Sequence, residues 1–161
     1  GREKVRIEAG RLVKDDPRVQ LDFNSVAKGY VVDLLAALVE KYGAGNYIVD
    51  VGGEVRCRGV NPRGDAWRIG IETPFDGNKI AHTIDPRTGC SAVSRLLSVT
   101  VAAPTCAEAD ALGTMFLAMG ADDALAAAAA MPEAKVYFIL AGDGDEYEEY
   151  VSPAMEALIL Q

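Results

Sequence analysis

Residues 98–114, Ser98-Val-Thr-Val-Ala-Ala-Pro-Thr-Cys-Ala-Glu-Ala-Asp-Ala-Leu-Gly-Thr114, carry the reading of the whole chain. The span Leu96 to Ala103 is an apolar strand that stops at Pro104. Thr105 stands three residues before Glu108, the capping-box spacing that opens a helix. The pattern predicts a helix over Cys106–Met119, closed by Gly120. Asp110 and Thr114 are four apart on it and project from one side. A carboxylate beside a hydroxyl near a helix start suits a hard cation such as Mg²⁺, which takes oxygen ligands and keeps positions open for phosphate. The same residues also fit a plain helix, in which the acid complements the dipole and the threonine bonds back to the backbone.

Toward the N-terminus, KVRIE (Lys4 to Glu8) alternates as a strand, and Gly10 lets Arg11 to Lys14 return as its hairpin partner. Asp15-Asp16-Pro17 is a turn, and Val19 to Phe23 alternates again as a strand. Asn24 and Ser25 open a helix whose apolar positions are Tyr30, Val31, Leu34, Leu35, Leu38, Val39 and Tyr42, stopped by Gly43 and Gly45. Tyr47 to Val51 and Glu54 to Val60 are strands on either side of Gly52-Gly53. Asn61 to Asp65 is a loop, Trp67 to Thr73 a strand, Pro74 to Asn78 a turn, and Lys79 to Ile84 a strand before a turn-rich loop.

Toward the C-terminus, Asp122 and Asp123 start a helix that runs through the alanines 126–130 and ends at Pro132. Val136 to Leu140 is a buried strand, and Glu146 to Val151 an exposed one after the turn Gly142 to Asp145. Ser152-Pro153 opens either a last helical turn or a strand. Strands outnumber helices and are joined by short turns. The expectation is one α+β domain over residues 1–161, with mainly antiparallel sheet and packed helices.

The net charge of -8, with no basic run of five or more, argues against a nucleic-acid surface. It leaves room for a single nucleotide held through a metal ion, which supplies the positive charge. Cys57, Cys90 and Cys106 fit no zinc spacing and, being odd in number, no closed disulfide set; they read as small apolar fillers. No signal peptide, lipidation motif or bilayer-length apolar run is expected, and Gly1-Arg2-Glu3 reads as a fragment boundary.

Three further stretches bear on chemistry. In Asp22-Phe-Asn-Ser-Val-Ala-Lys-Gly-Tyr30 a strand ends in an acid and a helix begins with Lys28 near its start. Its amides and Lys28 suit a phosphate, while a solvated lysine also fits. Val51-Gly-Gly-Glu54 reads as a tight turn and is no dinucleotide fingerprint. His82-Thr-Ile-Asp-Pro-Arg-Thr-Gly89 holds the only histidine, beside a polar loop fit for a ligand rim.

Taken in order, LDFNSVAKGYVVD, NYIVDVGGEVRCRG, the WRIGIETP stretch, HTIDPRTG and SVTVAAPTCAEADALGT resemble the ApbE-type family, the FAD:protein FMN transferases, over nearly the whole chain. The resemblance implies an ApbE-like fold and a chain that binds FAD and Mg²⁺. It implies that the pyrophosphate is split, FMN passes to a threonine hydroxyl of an acceptor protein, and AMP is released. Some members hydrolyse FAD to FMN and AMP instead. A non-catalytic flavin-binding protein and a domain that binds nothing are the readings from other classes.

By motif, the resemblance assigns Asp22, Lys28 and Ile84 to FAD contacts. It assigns Ser25, through its backbone carbonyl, with Asp110 and Thr114, to the metal, and His82 to a possible catalytic role. Gly113 stands where the family favours alanine or an acid. Relative to the family pattern an N-terminal segment with flavin contacts is absent, as is a Thr-Ser-Gly stretch between ETP and the histidine loop. The family also implies a periplasmic lipoprotein location and an acceptor within a membrane redox complex.

Overall fold

The computed structural model describes residues 2–71, 94–144 and 146–159. After a short 3-10 turn at Arg2–Lys4, β1 (Val5–Glu8) and β2 (Arg11–Lys14) pair as an antiparallel hairpin. Ala9 and Gly10 make its tight turn, with φ of 48° and 73°. Helix α1 (Asn24–Lys41) follows and ends where Gly43 takes a φ of 88°. A second hairpin joins β3 (Tyr47–Val51) to β4 (Glu54–Arg58), with Val51 opposite Glu54. Both residues of its two-residue loop, Gly52 and Gly53, have positive φ, 61° and 95°, so glycine is required there by conformation.

The second half is a three-stranded antiparallel sheet in the order β5 (Leu96–Ala102), β6 (Lys135–Ala141), β7 (Tyr147–Val151). Between β5 and β6 lie α2 (Cys106–Met119) and α3 (Ala121–Ala130). The core gathers Leu96, Phe116, Ala121, Ala124, Ala128, Val136, Phe138 and Leu140. Helix α3 packs through Ala121, Ala124 and Ala128, whose small side chains let it lie close. Phe138 meets Phe116 edge-on at 5.1 Å between ring centroids and Tyr150 at 5.4 Å. Buried Ser152 accepts from the Val136 amide at 3.0 Å and donates to the Ala134 carbonyl at 2.7 Å. That bond seats α4 (Pro153–Glu156), so the chain after β7 takes the helical turn, not a strand. Every strand pair described is antiparallel, and the class is α+β as expected.

Four expectations need correction. Val19 to Phe23 alternates but pairs with no strand among the described residues. Its backbone is used locally instead: the Val19 amide donates to the Asp16 carbonyl, and the Lys14 ammonium to the Val19 carbonyl at 2.8 Å. Trp67 to Ile71 likewise pairs with no strand among the described residues, and the Trp67 indole N–H donates to the Arg58 carbonyl at 3.0 Å. Alternation gives a strand only when a neighbour satisfies the backbone. In α1 the buried residues are Gly29, Val32 and Ala36, while Tyr30, Val31, Leu34, Leu35 and Leu38 are exposed. The neighbouring helix touches α1 backbone to backbone at Gly29 and covers the face that this residue shares with Val32 and Ala36. Finally, Cys57 is exposed and only Cys106 is a buried filler. The strand expected at Lys79 to Ile84, with His82, Ile84 and Cys90, lies outside the described residues.

Candidate functional site

The site is built where α1 crosses the start of α2. Strand β5 delivers the chain to Pro104, and extended Thr105 then turns its hydroxyl back to accept from the Glu108 amide at 3.2 Å. Two more amides at this helix start are satisfied from another element. Asp33 of α1 accepts from the Cys106 amide at 3.0 Å and the Ala107 amide at 2.9 Å, one on each carboxylate oxygen. The Arg56 guanidinium of β4 pairs with the same carboxylate.

The crossing point is Gly29. A Cβ there would stand 2.3 Å from the Cys106 carbonyl oxygen and 2.8 Å from the Ala107 Cα, so the helices touch backbone to backbone. This contact brings Asp110, 9% exposed, onto α1, where it accepts from the Gly29 amide at 2.9 Å. In an α-helix the amide of residue 29 points at the carbonyl of residue 25. Ser25 thus stands one helical turn before the amide that Asp110 accepts from. Half-buried Thr114 lies one turn beyond Asp110 on the same side of α2.

Lys28, one residue before the crossing, is exposed and paired with Glu54, which the Gly52-Gly53 turn presents at the start of β4. The Glu54 carboxylate holds the Lys28 ammonium above its ordinary range, against burial, and the Asp110 charge adds to this. Burial pushes the Cys106 thiol up to about 11, with Asp33, Glu54 and Asp110 contributing. Three carboxylates thus surround the start of α2, with Lys28 and Arg56 as their cations. Asp22 stands just ahead of α1 and accepts from the Asn24 amide at 2.8 Å and its side-chain amide at 3.2 Å.

The chain's oxygen donors fit a hard cation. Among the described residues no three His, Cys, Asp or Glu side chains gather to hold a metal. The oxygen donors present near the crossing are one buried carboxylate, Asp110, the Thr114 hydroxyl and the Ser25 carbonyl, the donor type that a hard cation would take. Gly113 does not stand out: a Cβ there would meet Val101 only at 4.0 Å, so its cost is helix propensity.

Of the residues singled out in the sequence, Lys28 and Asp110 meet at this crossing, with Ser25 one turn before Gly29 on α1 and Thr114 one turn beyond Asp110 on α2. Asp22 is engaged at the preceding turn, and His82 and Ile84 lie outside the described residues. Asp33, Glu54, Arg56 and the steric role of Gly29 were not singled out. The signal for Asp33 was present: it is the single acid inside the apolar run Val31-Val-Asp-Leu-Leu-Ala-Ala-Leu38.

The molecule is an antiparallel α+β domain with a buried carboxylate where two helices cross. The ApbE family model matches residues 1–80 and 74–138, and the chain belongs to the ApbE family. It is 32% identical to the FAD:protein FMN transferase of Vibrio cholerae, over 99% of this chain and 56% of that protein. It is 31% identical to the FAD:protein FMN transferase of Escherichia coli K12, over 92% of this chain and 50% of that protein. Among solved structures, the flavin transferase ApbE of Vibrio cholerae superposes with a TM-score of 0.86 at 34% identity, covering 98% of this chain and 58% of that one. The apo flavinyl transferase ApbE of Pseudomonas stutzeri gives 0.83 at 30% identity, covering 98% and 57%. The chain spans about half the length of the curated relatives it matches.

Proposed function

We propose that this chain carries the site for Mg²⁺-dependent transfer of FMN from FAD to a threonine hydroxyl of an acceptor protein, with release of AMP. The relatives' names support flavin transfer from FAD to protein. The observation that most supports the metal part is the buried Asp110 carboxylate brought onto α1 at the Gly29 amide, one turn from Ser25.

In this reading Asp110, Thr114 and the Ser25 carbonyl hold Mg²⁺, which when bound supplies positive charge against the pyrophosphate oxygens. Lys28 neutralises part of the remaining phosphate charge, exchanging its Glu54 partner for a phosphate oxygen. Asp22 and Ile84 contact the nucleotide. The threonine oxygen attacks the FMN-side phosphorus, forming one P–O bond as the bond to the bridging oxygen breaks. AMP leaves with that oxygen, and the hydroxyl proton passes to a base, the role considered for His82. The chain's own contribution is to fix these groups before the reactants arrive.

The test is AMP release from FAD, with and without Mg²⁺, by this chain and by Asp110→Ala. The expected outcome is metal-dependent release that falls on the order of a hundredfold in the variant. Release that ignores Mg²⁺ or the substitution overturns the assignment of Asp110. Product analysis in the same reaction separates transfer, which leaves FMN on an acceptor threonine, from hydrolysis, which leaves it free.

A further inference from the structure

We propose that Asp33 is a positioning residue that sets where Asp110 stands, by holding the first turn of α2 against α1 and β4. Two carboxylates clasp this crossing in opposite directions. Asp33 reaches from α1 to the Cys106 and Ala107 amides of α2, at 3.0 and 2.9 Å. Asp110 reaches from α2 to the Gly29 amide of α1, at 2.9 Å. Between them the backbones touch at Gly29 and Cys106. A helix packed through a glycine has no interlocking side chains there to stop it sliding along its axis. The polar clasp supplies that stop. Asp33 is suited to it because both of its oxygens are engaged, its side chain is only 16% exposed, and Arg56 balances its charge from a third element.

Asp33 is engaged by the Cys106 and Ala107 amides and by Arg56, and is not among the groups read as holding substrate or metal. It acts as an outer-shell group acts on a ligand, by fixing the orientation of Asp110. The inference rests on the reading of Asp110 as a metal ligand, and its test keeps the two apart. Asp33→Asn preserves the shape but replaces one acceptor oxygen with an NH₂ that faces an amide donor, and removes the charge that Arg56 answers.

The measurement is Mn²⁺ binding, followed by the electron paramagnetic resonance of the free ion, without FAD or turnover. The chain itself, Asp110→Ala, Asp33→Asn and Ile139→Val, a control at a buried residue of β6, are compared. The expected result is binding lost in Asp110→Ala, weakened about tenfold in Asp33→Asn, and unchanged in Ile139→Val despite its lower melting temperature. Full binding by Asp33→Asn alongside loss in Asp110→Ala overturns the positioning role alone. Absent binding by the chain, or equal binding by Asp110→Ala, removes the metal reading and the proposal with it.

Hydrogen exchange in the unsubstituted chain gives a second reading that needs no Asp33 variant to fold. Coupling is reciprocal, so Mg²⁺ should slow exchange at the Cys106 and Ala107 amides by a comparable factor, and should not do so in Asp110→Ala. Exchange at those amides that ignores Mg²⁺ in the chain overturns the proposal.

Discussion

Gly29 shows how one missing side chain can organise a site. Its absent Cβ is what allows the Cys106 carbonyl to approach, and the obstacle to any replacement is backbone, which cannot rotate away. Gly29→Ala should therefore force α1 and α2 apart. Urea unfolding should report a loss of about 3 kcal/mol, at the upper end of what overpacking usually costs. An unchanged midpoint would show that the two helices can separate freely. Gly113 is the contrasting glycine, with open space where a side chain would go. Cys106, by comparison, is held inert: it is buried, its thiol is pushed up to about 11, and it donates to the Val55 carbonyl at 3.7 Å.

The pairing of α1 with α2 is where local chemistry becomes geometry. Burial alone would raise the Asp33 carboxyl, but the Ala107 and Cys106 amides and the Arg56 guanidinium outweigh it and hold it below its ordinary value of 3.8. A carboxyl depressed in the folded state stabilises the fold fully above its unfolded value. That contribution is lost as pH falls through the lower, folded value. Asp33→Asn should accordingly be less stable than the parent by about 2 kcal/mol at pH 7, the usual worth of hydrogen bonds to a charged group. The gap should close as pH drops below about 4. Melting temperatures of both proteins between pH 7 and 2 check this, and a gap independent of pH would exclude the ionised carboxylate as its source. The Thr105 hydroxyl and Asp33 divide the work at the same helix start. Thr105 satisfies the Glu108 amide from within the segment, and Asp33 satisfies the two before it from across the fold.

The molecule as a whole couples this crossing to a core that lies beside it. Phe138 in the central strand β6 is fully buried between Phe116 of α2 and Tyr150 of β7. The helix that bears Asp110 and Thr114 is thus seated on the sheet by its own Phe116. Phe138→Ala should cost about 3–5 kcal/mol in denaturant unfolding, the range for emptying an aromatic site in a core. A loss below 1 kcal/mol would mean that α2 is held mainly by α1 and not by the sheet.

The helix at Cys106–Met119 was legible in the sequence, because Thr105, Glu108 and Gly120 are local signals read within a few residues. The Gly52-Gly53 hairpin, the alanine helix and the buried strand at Val136 to Leu140 were legible for the same reason. So was the common side of Asp110 and Thr114, which follows from helix geometry alone. The motif order pointed to the family, and the family match bears that out. What the sequence could not reveal was partnership between distant segments. Val19 to Phe23 and Trp67 to Ile71 alternate as strands do, yet alternation does not say whether a neighbour exists to take the backbone bonds. The apolar stripe of α1 was visible, but which side would be buried depended on the close approach of α2 at Gly29. Asp33 and Cys106 are 73 residues apart, and Gly29 and Asp110 are 81 apart. Sequence by itself determined the elements and the donor types, since these obey short-range sterics and hydrogen bonding. Only the tertiary structure decided which donors share a site, because burial and close packing are settled between segments that no local rule connects.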